Sequence, residues 1–180
     1  MKSLLIVGIY LSFLPSFVLS NEPSPYVGQE ARSIKSMSPE KIENLRQGRG
    51  MGYAKTAELN HYPGPLHVLE LAKELALSEE QKVQTQKIFD QMKVEAKKIG
   101  KQLIEHELAL EKLFASGQVK SQTLEAHLNA IGKLEAHLRY THLNAHIQQR
   151  TLLNKKQIQL YDKLRGYLVL DGHKKHHHSH

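Results

Sequence analysis

The sequence predicts an all-α protein built around a long antiparallel helical hairpin with short flanking helices. From Glu79 to Ala115, apolar residues recur mostly in steps of three or four, with no proline and one glycine, which is the period of a helix. A second stretch of this kind runs from Gln122 to Thr151, and the segment ASGQVKS separates the two. No segment convincingly alternates apolar and polar residues as a half-buried strand does. Two long helices joined by a short turn fold back on each other.

The contact line between the two long helices, here called the seam, is expected to use the apolar residues of each repeat. On the first helix these are Ile88, Met92, Ala96, Ile99, Leu103, Leu110 and Leu113. On the second they are Leu124, Leu128, Ile131, Leu134, Leu138 and Ala145. A two-helix hairpin buries little apolar surface by itself, so the short helices or a second copy must cover the rest. We expect a homodimer.

The first twenty residues have the order of a secretory signal peptide. Lys2 precedes an uncharged apolar run, and Val18 and Ser20 are small enough for the −3 and −1 positions of a signal peptidase site. The run is slightly short for a membrane span, and an uncleaved anchor is the alternative. We therefore predict a signal peptide over residues 1–20, a flexible arm over 21–36 and an exported mature protein.

Short helices are predicted between the arm and the hairpin. Ser38 is a good N-cap, Pro39 suits the first helical position, and Gly48 ends this helix. The glycine-rich GRGMG that follows lacks the Lys and Ser/Thr of a phosphate-binding loop. The segment MGYAKTAEL predicts a second short helix, and Pro65 starts a third in LHVLELAKEL. The last helix is expected over about Lys155–Leu168.

Two of the predicted helices begin with the same device. Ser78 caps the first long helix, and Gln81, at the third helical position, can reach back to the Ser78 backbone N–H, which makes a capping box. Asn154 and Gln157 repeat this arrangement at the start of the last helix. Both sites must start a helix sharply after a preceding helix ends.

Composition excludes several classes of function. The chain has no cysteine, so it forms neither a disulfide nor a thiolate metal site. Its 25 Lys and Arg against 18 Asp and Glu give a moderate basic excess. For an exported protein this favours acidic polypeptides or membrane surfaces over nucleic acid as partners. No Ser-His-Asp arrangement can be argued, and the carboxylates have solvent-facing helical spacing. We predict that the protein is not an enzyme.

The two boxes also carry a family resemblance. They consist of Leu77, Ser78, Glu79, Glu80 and Gln81, and of Leu153, Asn154, Lys155, Lys156 and Gln157. Flanking a long hairpin, they resemble the LTxxQ repeat of the Spy/CpxP family of periplasmic, ATP-independent chaperones and stress regulators. Both boxes depart from the family's Thr, although Ser and Asn cap equally well. The segment GMGYAKTAELNHYPGPLHVLELAKEL and the ending LYDKLRGY look similar to a branch of ZraP- and CnrX-type periplasmic heavy-metal sensors.

The resemblance covers about residues 33–168, and we assign the helical domain to residues 37–168. It implies a periplasmic, curved, antiparallel dimer whose concave basic face binds unfolded or misfolded proteins without ATP. The alternative that it implies is a periplasmic protein for binding, sensing or resisting Zn, Ni, Cu or Co. A scaffold that docks on an inner-membrane sensor kinase is a third hypothesis. The chaperone hypothesis requires no cofactor.

The His-rich tail, residues 169–180, is one candidate metal site. Its histidines are His173, His176, His177, His178 and His180. Such a tract binds Zn, Ni or Cu by flexible imidazole chelation. An expression tag or a disordered tail is the alternative interpretation, although Lys174, Lys175 and Ser179 interrupt the run as a standard tag does not.

A second candidate is the pair His142 and His146, four residues apart on one face of the second long helix. This spacing lets two imidazoles bind one metal ion, and the metal-sensing relatives use helical pairs of this spacing. If the hairpin turn centres near residues 116–117, Asp90 lies roughly opposite His142 as a third ligand. Ordinary polar or seam positions for both histidines are the alternative.

Four other histidines have simpler explanations. His106 falls on the seam, and folding back places His127 near it. The two could chelate metal or change packing near pH 6, but a seam histidine is more often a hydrogen-bonded core residue. His61 and His67 flank the YPGP turn and are given a structural role alone.

Overall fold

The structure is a computed structural model and describes residues 22–168. Within this range the chain is helical and contains no strand, which confirms the predicted all-α class. The helices are α1 Pro39–Arg46, α2 Lys55–Glu58, α3 Pro65–Glu70, α4 Glu79–Ala115, α5 Ser121–Leu152 and α6 Lys155–Leu164. None of the helices between residues 22 and 168 is long and apolar enough to cross a membrane. The predicted signal peptide and His-rich tail lie outside the described residues.

Residues 22–30 belong to a separate compact unit, in which turns predominate and Gln29 Nε2 donates to the Pro25 carbonyl oxygen. The helical domain begins at Ala31. Ile34 falls inside the predicted arm, yet it is 3% exposed and packs in the main core with Met37. The arm is therefore shorter than predicted, because an apolar pair at 34 and 37 finds a place on the hairpin.

The helices α4 and α5 form the predicted hairpin, and its seam is largely the predicted one. Five seam residues are buried: Ala96, Ile99, Leu103, Leu138 and Ala145. Leu128 is the exception, since its side chain is about half exposed. Steps of three and four residues from Leu124 to Leu138 pass through His127 rather than Leu128. His127 is also the more buried of these two adjacent residues. The prediction for Leu128 was wrong by one position.

The short helices cover one side of the hairpin. Ser38 caps α1 as predicted, accepting from the Lys41 backbone N–H, and Pro39 starts the helix. Leu45 of α1 joins the main core, where α1 crosses α4 at Gly100. A side chain at position 100 would place its Cβ 2.4 Å from the Leu45 carbonyl oxygen, so the two backbones meet only because Gly100 has none.

A second core holds the open end of the hairpin. It contains Val68, Leu75, Leu77, Leu153 and Tyr161, which come from α3, the turns after it, the two box segments and α6. The Leu of each capping box is therefore a core residue. α3 ends at Glu70 and turns continue to Ala76, which has a φ of 48°, so the predicted helix over LHVLELAKEL is shorter than expected. The predicted last helix likewise ends at Leu164, before a turn at Gly166 with φ 75°.

Candidate functional site

A cavity of about 480 Å³ lies between the hairpin and the segment that carries α2 and α3. Five parts of the chain line it: the glycine-rich segment 47–50, Ala54 before α2, residues 64–67, one face of α4 and one face of α5. The two predicted histidines, His142 and His146, both lie in its wall. The i, i+4 spacing therefore places them on one face, as predicted, and that face is buried.

His146 is held in one tautomer by the loop before α3. Its Nδ1 lies 2.7 Å from the Tyr62 carbonyl oxygen, so Nδ1 carries the proton and donates it, and Nε2 keeps the lone pair. Glu58 Oε2 lies 3.5 Å from the same Nδ1. Burial lowers the pKa of His146, and the Tyr62 and Glu58 interactions oppose that shift. Gly64 makes this fit possible, since a Cβ there would lie 2.9 Å from the imidazole Cε1.

His142 is the more deeply buried of the pair, at 2% exposed. Its ring stacks on Tyr53, with centroids 6.0 Å apart and planes 10° from parallel. Its Nε2 is buried and has no hydrogen-bond partner among residues 22–168. Desolvation, followed by the neighbouring His146, lowers its pKa to about 4. Both imidazoles are therefore neutral at physiological pH.

This burial predicts a pH dependence of stability. The unfolded chain binds a proton at His142 below pH 6.5, whereas the folded chain binds it only near pH 4. His142 should therefore destabilise the fold progressively as the pH falls from 6.5 to 4, and contribute no further slope below that. The measurement is urea unfolding across this range for wild type and His142→Phe. The free energy of unfolding should fall less steeply with falling pH in the variant than in wild type. The same pH dependence in both proteins would contradict the shifted pKa.

Glu58 links this wall to the last helix. Its Oε1 accepts from the hydroxyls of Tyr161 and Tyr167 and lies 3.5 Å from Arg165 Nε. Burial and the Glu58 bond raise the pKa of Tyr161, which keeps its hydroxyl protonated as the donor. Because α6 supplies Tyr161, the carboxylate behind His146 also anchors α6.

The metal site predicted at the histidine pair stays a prediction, without the third ligand that was expected for it. Asp90, the expected third ligand, is exposed and accepts from Gln86 Nε2 at 2.9 Å. Phe89, Met92 and Lys93 of α4 face the cavity. Asp90 follows Phe89, and the helical rotation from one residue to the next turns its side chain away from the cavity. No group of three His, Asp or Glu that could hold a metal ion occurs among residues 22–168. The Asp90 prediction was wrong, and the tail histidines lie outside the described range.

The other predicted histidine pair is adjacent. His106 and His127 face each other across the seam with centroids 6.1 Å apart in an edge arrangement, as the folding-back of the hairpin predicted. His127 Nδ1 is buried without a partner in the described chain. His67 lines the cavity and pairs with Glu70 at 2.7 Å, and His61 pairs with the buried Asp162 at 2.7 Å.

The two capping boxes form as predicted, and they also meet. Each box has both of its reciprocal hydrogen bonds. Gln81 and Gln157 then donate to each other's Oε1, at 3.0 Å in both directions. The second N–H of Gln81 donates to the Leu152 carbonyl, and that of Gln157 to the Leu75 carbonyl. We call these two side chains the amide pair. Every donor and acceptor of both amides is satisfied.

Sequence reasoning missed the amide pair, although its signal was present. Both boxes use Gln rather than Glu at the third helical position, and only an amide has a donor to give a second partner.

Comparison with family models, with characterised proteins and with solved structures finds no match to this chain.

Proposed function

We propose that the protein is an ATP-independent chaperone of the bacterial envelope, of the Spy/CpxP type, which binds unfolded proteins along its hairpin. One observation carries the proposal: large apolar side chains on α4 and α5 are each more than half exposed. They are Val83, Val94, Phe114, Leu128, Tyr140 and Ile147. The envelope location rests on the signal peptide predicted for residues 1–20.

The spacing of these side chains suits an unfolded client. They are spread along helices of 37 and 32 residues, from the first turn of α4 to its tip and back along α5. At 1.5 Å per residue, α4 alone is roughly 55 Å long. A folded partner is usually met by one contiguous apolar patch. Separate apolar contacts along a long surface instead match the scattered apolar residues of an extended chain, and each contact is weak enough to release it without ATP.

Charge supports the encounter. Residues 82–101 of α4 contain six lysines and two acidic residues. A local positive field of this kind raises the association rate of acidic polypeptides. A homodimer, which the resemblance implies, would place the same helices of a second copy nearby, and a membrane sensor kinase stays a further hypothesis for a partner. The heavy-metal alternative stays a hypothesis for His142, His146 and the tail histidines.

The proposal predicts that a double substitution, Val94→Gln with Ile147→Gln, weakens suppression of client aggregation several-fold. Glutamine removes apolar contact area but is a better helix former than Val or Ile, so the fold should lose almost no stability. The measurement is light scattering of a chemically denatured enzyme diluted into buffer without nucleotide, with and without chelator.

Leu59→Gln is the matched control, because Leu59 is half exposed but lies at the end of α2, off the hairpin. It should suppress aggregation as well as wild type. A double variant that keeps full activity, or a wild type inactive towards every client, would reject the proposal. Sedimentation equilibrium on the same variants separates loss of client binding from loss of a dimer.

A further inference from the structure

We propose that the cavity beside His142 binds a small organic anion with an apolar body, such as an aromatic or branched carboxylate. This inference goes beyond client binding, which uses the outer faces of the hairpin. It starts from the wall that holds the two histidines, because the formally charged side chains in that wall are cations.

The charged residues of the wall are all basic. Arg49 comes from the glycine-rich segment and Lys93 from α4. His67 also lines the wall, but it pairs with Glu70 at 2.7 Å. No Asp or Glu side chain lines this cavity in the part of the chain that the structure describes. Glu58 lies behind His146, on the Nδ1 side. Its Oε1 contacts Arg165 and two tyrosine hydroxyls, and its Oε2 is buried 3.5 Å from His146 Nδ1 without a hydrogen-bond partner in the described chain. Two cations with no carboxylate in the same wall favour an anion in this cavity.

Apart from Gln47 and the histidines, the rest of the wall is apolar. It includes Ala54, Pro65, Leu66, Phe89 and Met92. Lys93 Nζ lies 5.3 Å from the Phe89 ring centroid, so a cation and an aromatic face stand side by side. A ligand with a ring and a carboxylate can contact both. The volume of about 480 Å³ lies within the range of small-molecule pockets, which is roughly 300–1,000 Å³.

The buried imidazole gives an independent sign of a missing partner. Buried polar atoms are nearly always hydrogen-bonded, and those that are not require an explanation. His142 lines the cavity, and its Nε2 is buried without a partner among the described residues. Because this nitrogen is buried, the ring would have to turn before the nitrogen could meet a polar group in the cavity.

The test compares 2-naphthoate with 2-naphthamide, a neutral molecule of nearly the same shape, by isothermal titration calorimetry of the full mature chain. The carboxylate should bind at least about tenfold more tightly, since charge-assisted hydrogen bonds are roughly twice as strong as neutral ones. Equal affinities, or no binding of either compound, would overturn the proposal.

Two variants locate the site. Lys93→Met and Arg49→Met each remove one cation from a different segment of the wall, and each should weaken naphthoate binding about tenfold while leaving naphthamide unchanged. Lys87→Met is the control, with the same change on the same helix at an exposed position outside this wall. It should bind naphthoate like wild type. Melting curves confirm that each variant is folded.

Zinc chloride alone is titrated in parallel to test the competing occupant. Zinc binding that is lost in His142→Ala and unchanged in Lys93→Met would assign the cavity to a metal ion and reject the anion. Zinc binding that is unaffected by His142→Ala belongs to other parts of the chain, and supports the anion when naphthoate binding follows Lys93 and Arg49.

Discussion

Replacing Gln157 with leucine is expected to lower the free energy of unfolding by about 4 kcal/mol. The substitution leaves three groups without their partner: the Leu75 carbonyl, the Asn154 backbone N–H and the side-chain amide of Gln81. Each buried group that loses its hydrogen bond costs about 1–3 kcal/mol. Leucine adds apolar surface, but it cannot satisfy any of the three. Urea unfolding at pH 7 measures the loss.

Gln159→Leu is the matched control for this change. Gln159 lies on the same helix, two residues away, and is exposed. Its replacement should change stability by less than about 0.5 kcal/mol. The pair Gln81→Leu and Gln157→Leu completes a double-mutant cycle. If the amide pair is a unit, the double variant loses clearly less than the sum of the single losses, whereas strict additivity would show that the two boxes act independently.

Replacing Gly100 with alanine is expected to cost about 3 kcal/mol, although alanine is the better helix former. The added Cβ would lie 2.4 Å from the Leu45 carbonyl oxygen and 2.9 Å from its carbonyl carbon. These are backbone atoms of α1, so they cannot rotate away as a flexible side chain can. Either α1 moves off the hairpin or α4 bends, and both changes disturb the main core. Thermal and urea unfolding measure the effect.

Gly132→Ala is expected to have the opposite effect on the free energy of unfolding. Gly132 lies inside α5, and a Cβ there would have no described neighbour within 4 Å. Removing the flexibility of glycine at such a position should stabilise the protein by up to about 1 kcal/mol. A Gly100→Ala variant as stable as Gly132→Ala would show that α1 does not pack on α4 as described.

The parts of the fold that local chemistry decides could be predicted from the sequence. The start of α4 at Glu79 and of α6 at Lys155 follow from Ser78 and Asn154, whose caps act on the next three residues. The seam follows from helical period. The end of α3 was missed, because turn formation after Glu70 depends on Leu75 and Leu77 reaching the second core.

The candidate site was predictable only in part, because contacts between distant segments form it. Spacing placed His142 and His146 on one face, but nothing local says that the chain around Gly64 would close over them. Whether Asp90 faces His142 depends on how α4 is rotated against α5. An error of one residue in that register turns the Asp90 side chain away from His142. The basic wall was also hidden, since Arg49 and Lys93 are far apart in sequence and meet only in the folded chain.

The amide pair has a consequence for the order in which the chain matures. It joins residues 76 apart in sequence, and one of the two lies on the last helix. Because synthesis runs from the N-terminus, Gln81 is made well before its counterpart. Until Gln157 arrives, the first turn of α4 lacks a partner for its amide and the Leu75 carbonyl stays open to water. The base of the hairpin is therefore completed only after α6 has been made.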